Sequence, residues 1–474
     1  MKKKRVDRSA LSDLEKPLLV KEVKRLDKQN RRLKQKNKKL EEKVRDLEAQ
    51  LEEYRKKLFK KNAVKPEDEQ PCAPRKKRGA PIGHPGTTRR KPEHIDEHVD
   101  VTLKRCPDCG GENLSRCRRH EDHYQEDIVL PQVKVTRFRH HIYYCKDCRK
   151  TVQGVGEGEM SASYIGPLAK SVASFLHYQM SIPYRKIKRL FHELFRLDFD
   201  PSSCPGFDRQ IRARGQPLYE QLKKSLPTKP FVHADETGWR KDGITYWLHC
   251  YAAVGAIVYL IDRSRGGSVI RSVLGEKYAG VLISDFLAAY NRILCRKQRC
   301  LVHLLRLIKK HLIYFEGDRK KTKYLLRLKT LIKDIVELSR RMELGKLPRD
   351  FSVKKADLIG RLRRMLDCRL GHPKVDKFLR KLSNHIGELV TCLDFAEICA
   401  HNNWAERLLR GNVIMRKITF GNRSDNGVQN HQVLMSLIET ARYRRLNPLK
   451  FLYQLLTDSP AAAAAIFTNP AVTG

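Results

Sequence analysis

Acidic side chains are scarce in this chain of 474 residues: 54 Asp and Glu stand against 97 Lys and Arg, a formal net charge of +43. Such an imbalance disfavours a basic partner and points to a polyanion, most simply nucleic acid. Long apolar runs are missing too. The longest candidate, Tyr251 to Ile261, has 11 residues against the roughly 20 of a spanning helix, which excludes an integral helical membrane protein. The start, Met1-Lys-Lys-Lys-Arg-Val-Asp-Arg8, is basic with no apolar core behind it, so no secretory leader is expected. An even cysteine count is absent as well. Thirteen cysteines without a leader suggest a reducing compartment, hence a cytoplasmic protein, with thiol or metal chemistry in place of a disulfide framework. At roughly 100–200 residues per domain, the length suggests two to four domains.

What is present begins with a seven-residue repeat. Leu19, Leu26, Leu33, Leu40 and Leu47, continued by Tyr54, interleave with Val23, Asn30, Asn37, Val44, Leu51 and Leu58. This is a coiled-coil pattern with Leu at d and mixed residues at a, and it assigns residues 1–62 to a dimerisation helix. Asn30 and Asn37 at a gain partners when an identical helix aligns in register, which favours a parallel homodimer. A solitary amphipathic helix packed on its own protein is the alternative. Pro17 suits a first helical turn and no later one. Residues 63–100 read as a Gly/Pro-interrupted linker carrying a basic run: Arg75, Lys76, Lys77, Arg78, Arg89, Arg90 and Lys91. Such a run can follow a DNA backbone, and it also resembles any solvated linker of a basic protein.

Residues 101–155 hold two Cys-x-x-Cys knuckles, Cys106/Cys109 and Cys145/Cys148, with Gly110 after the first. Four thiolates at this spacing suit one tetrahedral structural Zn²⁺. Val133, Val135 and Arg137 to Tyr143 read as a strand hairpin joining the knuckles. Residues 160–225 turn helical, with apolar stripes Leu168, Val172, Phe175, Leu176 and Ile187, Leu190, Phe191, Leu194 on either side of Pro183. Arg185, Lys186, Lys188 and Arg189 on the polar side suit a helix-turn-helix DNA reader, and a plain helical linker domain fits as well. From residue 228 to 300 the period becomes that of strands: Phe231 to Asp235, Thr245 to Ala253, Ala256 to Asp262 and Gly280 to Asp285, with a short helix from Ser268 to Leu274. Residues 301–398 are helical, 399–457 complete the core, and 458–474 read as a flexible tail. The class expected is multidomain α+β: coiled coil, zinc-ribbon-like domain, helical segment, and a mixed β-sheet of ribonuclease H-like kind with an α-helical insertion.

Asp235 and Asp285 each close an apolar strand. On neighbouring strands they project from one sheet edge, where two carboxylates repel unless a divalent cation intervenes. Glu406, in the first turn of a helix capped by Asn402 or Asn403, is the best third acid. Three carboxylates holding two metal ions suit in-line phosphoryl transfer. A strand-end Asp is also a common turn residue, and Glu beside Arg a common surface pair.

The stretches Asp235-Glu-Thr-Gly-Trp239-Arg240, Ser284-Asp285-Phe-x-x-x-Tyr290 and Asn402-Asn403-Trp-Ala-Glu406-Arg407 resemble the three acidic motifs of the insertion-sequence-66 family of bacterial DDE transposases. The order of coiled coil, basic linker, four-cysteine domain and helical segment is similar to that family's, as are Cys300-Leu-Val-His303 and Ser436-Leu-Ile-Glu-Thr440. The resemblance implies a ribonuclease H-like catalytic domain with Asp235, Asp285 and Glu406 as ligands of Mg²⁺ (or Mn²⁺), two ions in all. It places Cys300 and His303 near the site, where a plain core Cys and His is an equal alternative. Arg407, Arg410, Arg416 and Lys417 would grip phosphates; Glu236, alternating to the other face, would not be a ligand. The implied partners are double-stranded DNA (the element's terminal inverted repeats and target DNA), a second copy of the chain, and helper proteins from the same element, with the protein nucleoid-associated when on DNA. Two departures stand out: Trp404, where small residues are usual, and Ser202-Ser-Cys-Pro-Gly-Phe-Asp208, whose Pro205 argues against a conventional recognition helix. The competing expectation is a non-catalytic, zinc-containing, coiled-coil-dimerised DNA-binding regulator.

Overall fold

The computed structural model describes residues 15–58, 93–100, 104–105, 107–108, 110–112, 124–125, 133–160, 163–315 and 317–468. The chain divides into a small unit, residues 61–134, and a large one comprising 1–60 and 135–474. All elements named below belong to the large unit. A single helix, α1 (Glu15–Leu58), covers the heptads, with Pro17 in its first turn, where N–H groups have no intrahelical acceptor. A small hairpin follows, β1 (Ile142–Cys145) and β2 (Lys150–Gln153). Then come three helices, α2 (Pro167–Tyr178), α3 (Tyr184–Phe195) and α4 (Cys204–Ser225).

The central sheet contains β3 (Phe231–Lys241), β4 (Ile244–Ala253), β5 (Ala256–Asp262), β6 (Lys277–Ser284) and β7 (Leu294–Arg299), with α5 (Gly267–Leu274) before β6. Strand order is β5-β4-β3-β6-β7. The first three strands pair antiparallel, whereas β6 runs parallel to both β3 and β7. Asp242 and Gly243 both take positive φ at the β3–β4 turn, the two-residue geometry for which Asp-Gly is suited. The helical insertion is α6 (Leu301–Tyr314), α7 (Arg319–Glu343), α8 (Phe351–Asp367), α9 (Pro373–Ser383) and α10 (Ile386–Val390). The chain ends in α11 (Asn403–Thr419), α12 (Asp425–Tyr443), α13 (Pro448–Thr457) and α14 (Pro460–Thr468).

Successive β6 residues serve opposite cores. Val281 and Ile283 pack with the insertion helices, while Leu282 joins the main core of β3–β5, α4, α12 and α13. The exposed N–H groups of edge strand β5 are capped by one face of α12. Tyr259 N donates to Ser436 Oγ at 2.8 Å, Ile257 N to Thr440 Oγ1 at 3.0 Å, and Ile261 N to Gln432 Oε1 at 3.2 Å. A helix repeating every four residues thus matches a strand repeating every two, and it closes an edge open to aberrant pairing.

Four expectations are corrected. The hairpin at the second knuckle is not the Val133–Tyr143 stretch: β1 begins at Ile142 and pairs with β2, so Cys145 ends β1 and Cys148 lies in the turn that follows. Within the stretch taken for a flexible tail, Pro460 to Thr468 fold back as α14, where Phe467 stacks on Phe451 at 4.9 Å and lies under the Arg444 guanidinium. Pro205 does not prevent a helix; it sits in the first turn of α4, where its missing N–H costs nothing. The apolar stripe read for α2 is not its inner face: Leu168 is exposed and Val172, Phe175 and Leu176 are half-buried, whereas Lys170, Ser171, Ala173, Ser174, His177 and Tyr178 are buried. That face is held by buried Asp208 of α4, which accepts hydrogen bonds from Ser174, Tyr178 and Tyr184. Burial pushes the Asp208 carboxyl above the usual carboxylate range.

Candidate active site

Asp235 sits mid-strand in β3, paired with Cys250 of β4. Two residues earlier, His233 pairs with Ile283 of β6, which brings the end of β6, and so Asp285, to the same edge of the sheet. Glu406 enters from the first turn of α11. Asp285 and Glu406 both lie within electrostatic reach of Asp235, which is pushed up to about 8, first by burial, then by Glu236, with Asp285 and Glu406 adding to it. The N–H of Glu236 donates to Asp235 Oδ1 at 3.0 Å and pulls the other way. Glu236 itself faces the opposite side. Its side chain is buried, salt-bridged to Arg265 at 2.7 Å and bonded by the Tyr290 hydroxyl.

Three residues brace the elements that carry these acids: Asn402, read as a cap, Trp404, read as a departure, and Arg299, which sequence reasoning passed over. Asn402 occupies the N-cap position of α11, but its side chain does not cap the helix. Fully buried, it donates to Ala234 O at 2.8 Å and lies 3.0 Å from His233 Nδ1, while its own N–H reaches Cys300 Sγ at 3.2 Å. One side chain therefore ties the residue before Asp235 to the helix that carries Glu406. Arg299, the last residue of β7 and 1% exposed, donates to Asp285 O at 2.8 Å and to Glu388 Oε2 at 2.6 Å. It fixes the backbone of Asp285 against α10, while Asp285 Oδ1 accepts from Leu287 N at 2.8 Å. Trp404 stacks on Tyr443 and meets the His233 ring edge-on, each with centroids 5.3 Å apart. The large residue in this unusual place braces the α11 start against β3 and α12.

Cys300, at the N-cap of α6, is fully buried; His303 follows one turn on. Their ligand atoms and a Glu406 carboxylate oxygen all lie within 4.8 Å of one another. His303 Nδ1 is 3.6 Å from Glu406 Oε1, and neither atom has a hydrogen-bond partner. Arg306 contacts the outer atoms, His303 Nε2 at 3.2 Å and Glu406 Oε2 at 3.5 Å.

Of the basic residues after Glu406, Arg407, Arg410 and Lys417 are exposed along α11. Arg416 is committed elsewhere, donating to Gly238 O and tying α11 back to β3. The turn after α11 completes that tie: Trp239 Nε1 donates to Asn422 Oδ1 at 2.8 Å, and a Cβ on Gly421 would lie 2.2 Å from Arg240 O. On α3, Arg185, Lys186, Lys188 and Arg189 are exposed. Cys145, at the end of β1, lies beside Cys148 of the β1–β2 turn, and the Cys148 N–H lowers the Cys145 thiol from its ordinary range. Gly110 takes the positive φ expected of a knuckle turn. Cys106, Cys109 and the basic residues Arg75, Lys76, Lys77, Arg78, Arg89, Arg90 and Lys91 lie outside the described residues. Among the described residues, no helix is long and apolar enough to cross a membrane.

Residues 163–430, more than half of the chain, match the family model described as Transposase IS66 family. Comparison with curated proteins found no match.

Proposed function

The chain belongs to the IS66 transposase family, and from that premise we propose that Asp235, Asp285 and Glu406 form a DDE site that cuts DNA at the element's ends and joins those ends to target DNA. The observation that carries this reading is the placement of the acids: Asp235 on β3, Asp285 just past the neighbouring strand β6, and Glu406 in the first turn of α11, whose start Asn402 ties to Ala234 in a sheet ordered β5-β4-β3-β6-β7. That order, with three antiparallel strands followed by two parallel ones, supports a ribonuclease H-like core, and α6 to α10 form the insertion between the second and third acids.

The donor set fits a hard divalent cation. Three carboxylates supply only oxygen ligands, as Mg²⁺ prefers, and a cation would offset both the burial that chiefly pushes Asp235 up and the smaller repulsion from Asp285 and Glu406. Asp235, Asp285 and Glu406 would hold Mg²⁺ (or Mn²⁺, two ions in all), which would activate the attacking oxygen and stabilise the leaving one. The protein's own groups do the positioning. Asn402 keeps the backbone around Asp235 in register with the start of α11, and Arg299 keeps Asp285 at the end of β6. Arg407, Arg410 and Lys417 lie C-terminal to Glu406 on α11 and neutralise phosphates flanking the scissile bond. In the first reaction water attacks the phosphorus and a 3′-hydroxyl leaves; in the second that hydroxyl attacks a target phosphodiester and displaces the target's own 3′-oxygen.

Holding two ends calls for two subunits, and α1 offers the surface. Its heptad residues Val23, Leu26, Leu33, Leu40, Val44, Leu47 and Leu51 are about half exposed in the single chain. The helix touches α6 and α9 through other, polar positions: Asp46 pairs with Lys374, and Glu42 lies near Tyr314. The exposed apolar stripe would serve a second copy, although the contacts with α6 and α9 also suit a helix packed on its own protein. The exposed basic face of α3 and the zinc knuckles would read the ends, with the linker adding backbone contacts.

The test uses the purified full chain with a supercoiled plasmid carrying the genomic copy of its element. Asp235→Asn is expected to abolish Mg²⁺-dependent strand cleavage while retaining DNA binding. Cleavage unchanged in that variant would reject the DDE assignment, and binding without cleavage by the wild-type chain would favour a non-catalytic regulator.

A further inference from the structure

The cluster of Cys300, His303 and Glu406 has a chemistry that the three-carboxylate site lacks. One sulfur, one imidazole nitrogen and one carboxylate oxygen make a borderline-soft set, poor for Mg²⁺ and well matched to Zn²⁺. We propose that these three side chains form a binding site for a Zn²⁺-class ion, distinct from the hard-cation site although it shares Glu406.

Geometry supports this. Cys300 sits at the N-cap of α6 with extended backbone (φ −60, ψ 107), and His303, three residues later, lies on the same side of the first turn. Bond lengths of about 2.3 Å to sulfur and about 2.0 Å to nitrogen or oxygen place tetrahedral ligands roughly 3.3–3.5 Å apart. The three ligand atoms already lie within 4.8 Å of one another, with His303 Nδ1 and Glu406 Oε1 at 3.6 Å. These two atoms face each other, out of solvent and without hydrogen bonds. The surroundings restrain two of the ligands as an outer shell would: the N–H of Asn402 donates to Cys300 Sγ, and Arg306 donates to Glu406 Oε2. Binding through Nδ1 places the ring proton on Nε2, so Arg306, which is half exposed, moves from Nε2 to Glu406 Oε2. Three protein ligands leave a fourth position open to water or a DNA oxygen. Occupancy also takes one oxygen from an acid that, on the DDE reading, serves the catalytic metal; that consequence rests on the proposed function, whereas the site does not.

The full-length chain would be stripped of metal, loaded with Zn²⁺, desalted, and its ions counted per chain by mass spectrometry. Cys300→Ser and His303→Gln are each expected to hold one ion fewer than wild type, whatever number the other cysteines bind. Loading with Co²⁺ should show a matching loss of thiolate-to-cobalt absorption in Cys300→Ser. Equal ion counts in wild type and a folded variant would overturn the proposal. If Cys300→Ser fails to fold by circular dichroism, His303→Gln decides, since His303 is partly exposed and outside the hydrophobic core. Ion counting is independent of cleavage, so failure of the DDE assignment would leave this result standing, and the reverse also holds.

Discussion

Replacing Asn402 by Ala removes one small, fully buried side chain and tests how the candidate site is held together. The truncation deletes the bond to Ala234 O and the contact with His233 Nδ1, and it leaves both partners buried without an alternative. A typical bond contributes about 1 kcal/mol net, and a stranded buried group costs about 1–3 kcal/mol. With partial relaxation, the expected loss is roughly 2–4 kcal/mol. Urea unfolding followed by tryptophan fluorescence suits the measurement, because Trp404 packs against His233 at the point of damage. Cleavage should fall further than stability alone explains. Asp235 is the next residue after Ala234, Glu406 lies one turn into α11, and a misplacement of about 1 Å can lower a rate on the order of 100-fold. Asn403→Ala, at the adjacent half-buried position, is the control and should stay within about 0.5 kcal/mol. If Asn402→Ala matched that control in both stability and cleavage, the account of how β3 and α11 are aligned would be refuted.

Three further outcomes are expected. Arg299→Met removes the buried guanidinium from the Glu388 carboxylate, leaving His385 beside it, and releases the Asp285 backbone, which should cost roughly 3 kcal/mol by chemical denaturation and lower cleavage. Burial holds His431 down at about 3, so between its ordinary 6.5 and about 3 the unfolded chain binds the proton and the folded chain does not. Its contribution to stability is therefore complete above pH 6.5 and is lost as pH falls, by about 2 kcal/mol at pH 5. His431→Gln should flatten the difference in urea midpoint between pH 7 and pH 5; an unchanged pH slope would contradict the reasoning. Leu33→Glu combined with Leu40→Glu should turn a dimer into a monomer by sedimentation equilibrium, and an unchanged mass would remove α1 as the pairing surface.

The candidate acids stood out in the sequence by position: Asp285 follows an apolar strand run and Glu406 follows the Asn-Asn that opens a helix, whereas Asp235, read as a strand end, lies mid-strand because Glu236 to Lys241 pair onward with β4. The alternation of a strand also placed Glu236 on the face opposite Asp235, where it is found. The restraints around the acids were not legible. β7 reads Leu-Cys-Arg-Lys-Gln-Arg, with no apolar run to mark it, yet Lys297, Gln298 and Arg299 are all buried. Their cost of burial is offset by tertiary hydrogen bonds that no periodicity displays. Asn402 resembled a cap because Asn commonly is one, but tertiary partners 168 and 169 residues away captured its side chain instead. Arg416 likewise looked like a phosphate ligand by position and charge, and a backbone carbonyl of β3 takes it. The α2 stripe misled for a related reason: a buried Asp208 drew the polar face inward, and hydropathy alone assigns that face to solvent.

The claim that Asp285 is a metal ligand in a phosphoryl-transfer site can be tested by changing the ligand's softness. Asp285→Cys exchanges a carboxylate for a thiolate, which Mg²⁺ binds poorly and softer divalent ions accept. Strand cleavage of plasmid carrying the element should vanish in Mg²⁺ and recover at least partly in Mn²⁺, with DNA binding unchanged throughout. Full Mg²⁺-dependent cleavage by Asp285→Cys would contradict the account.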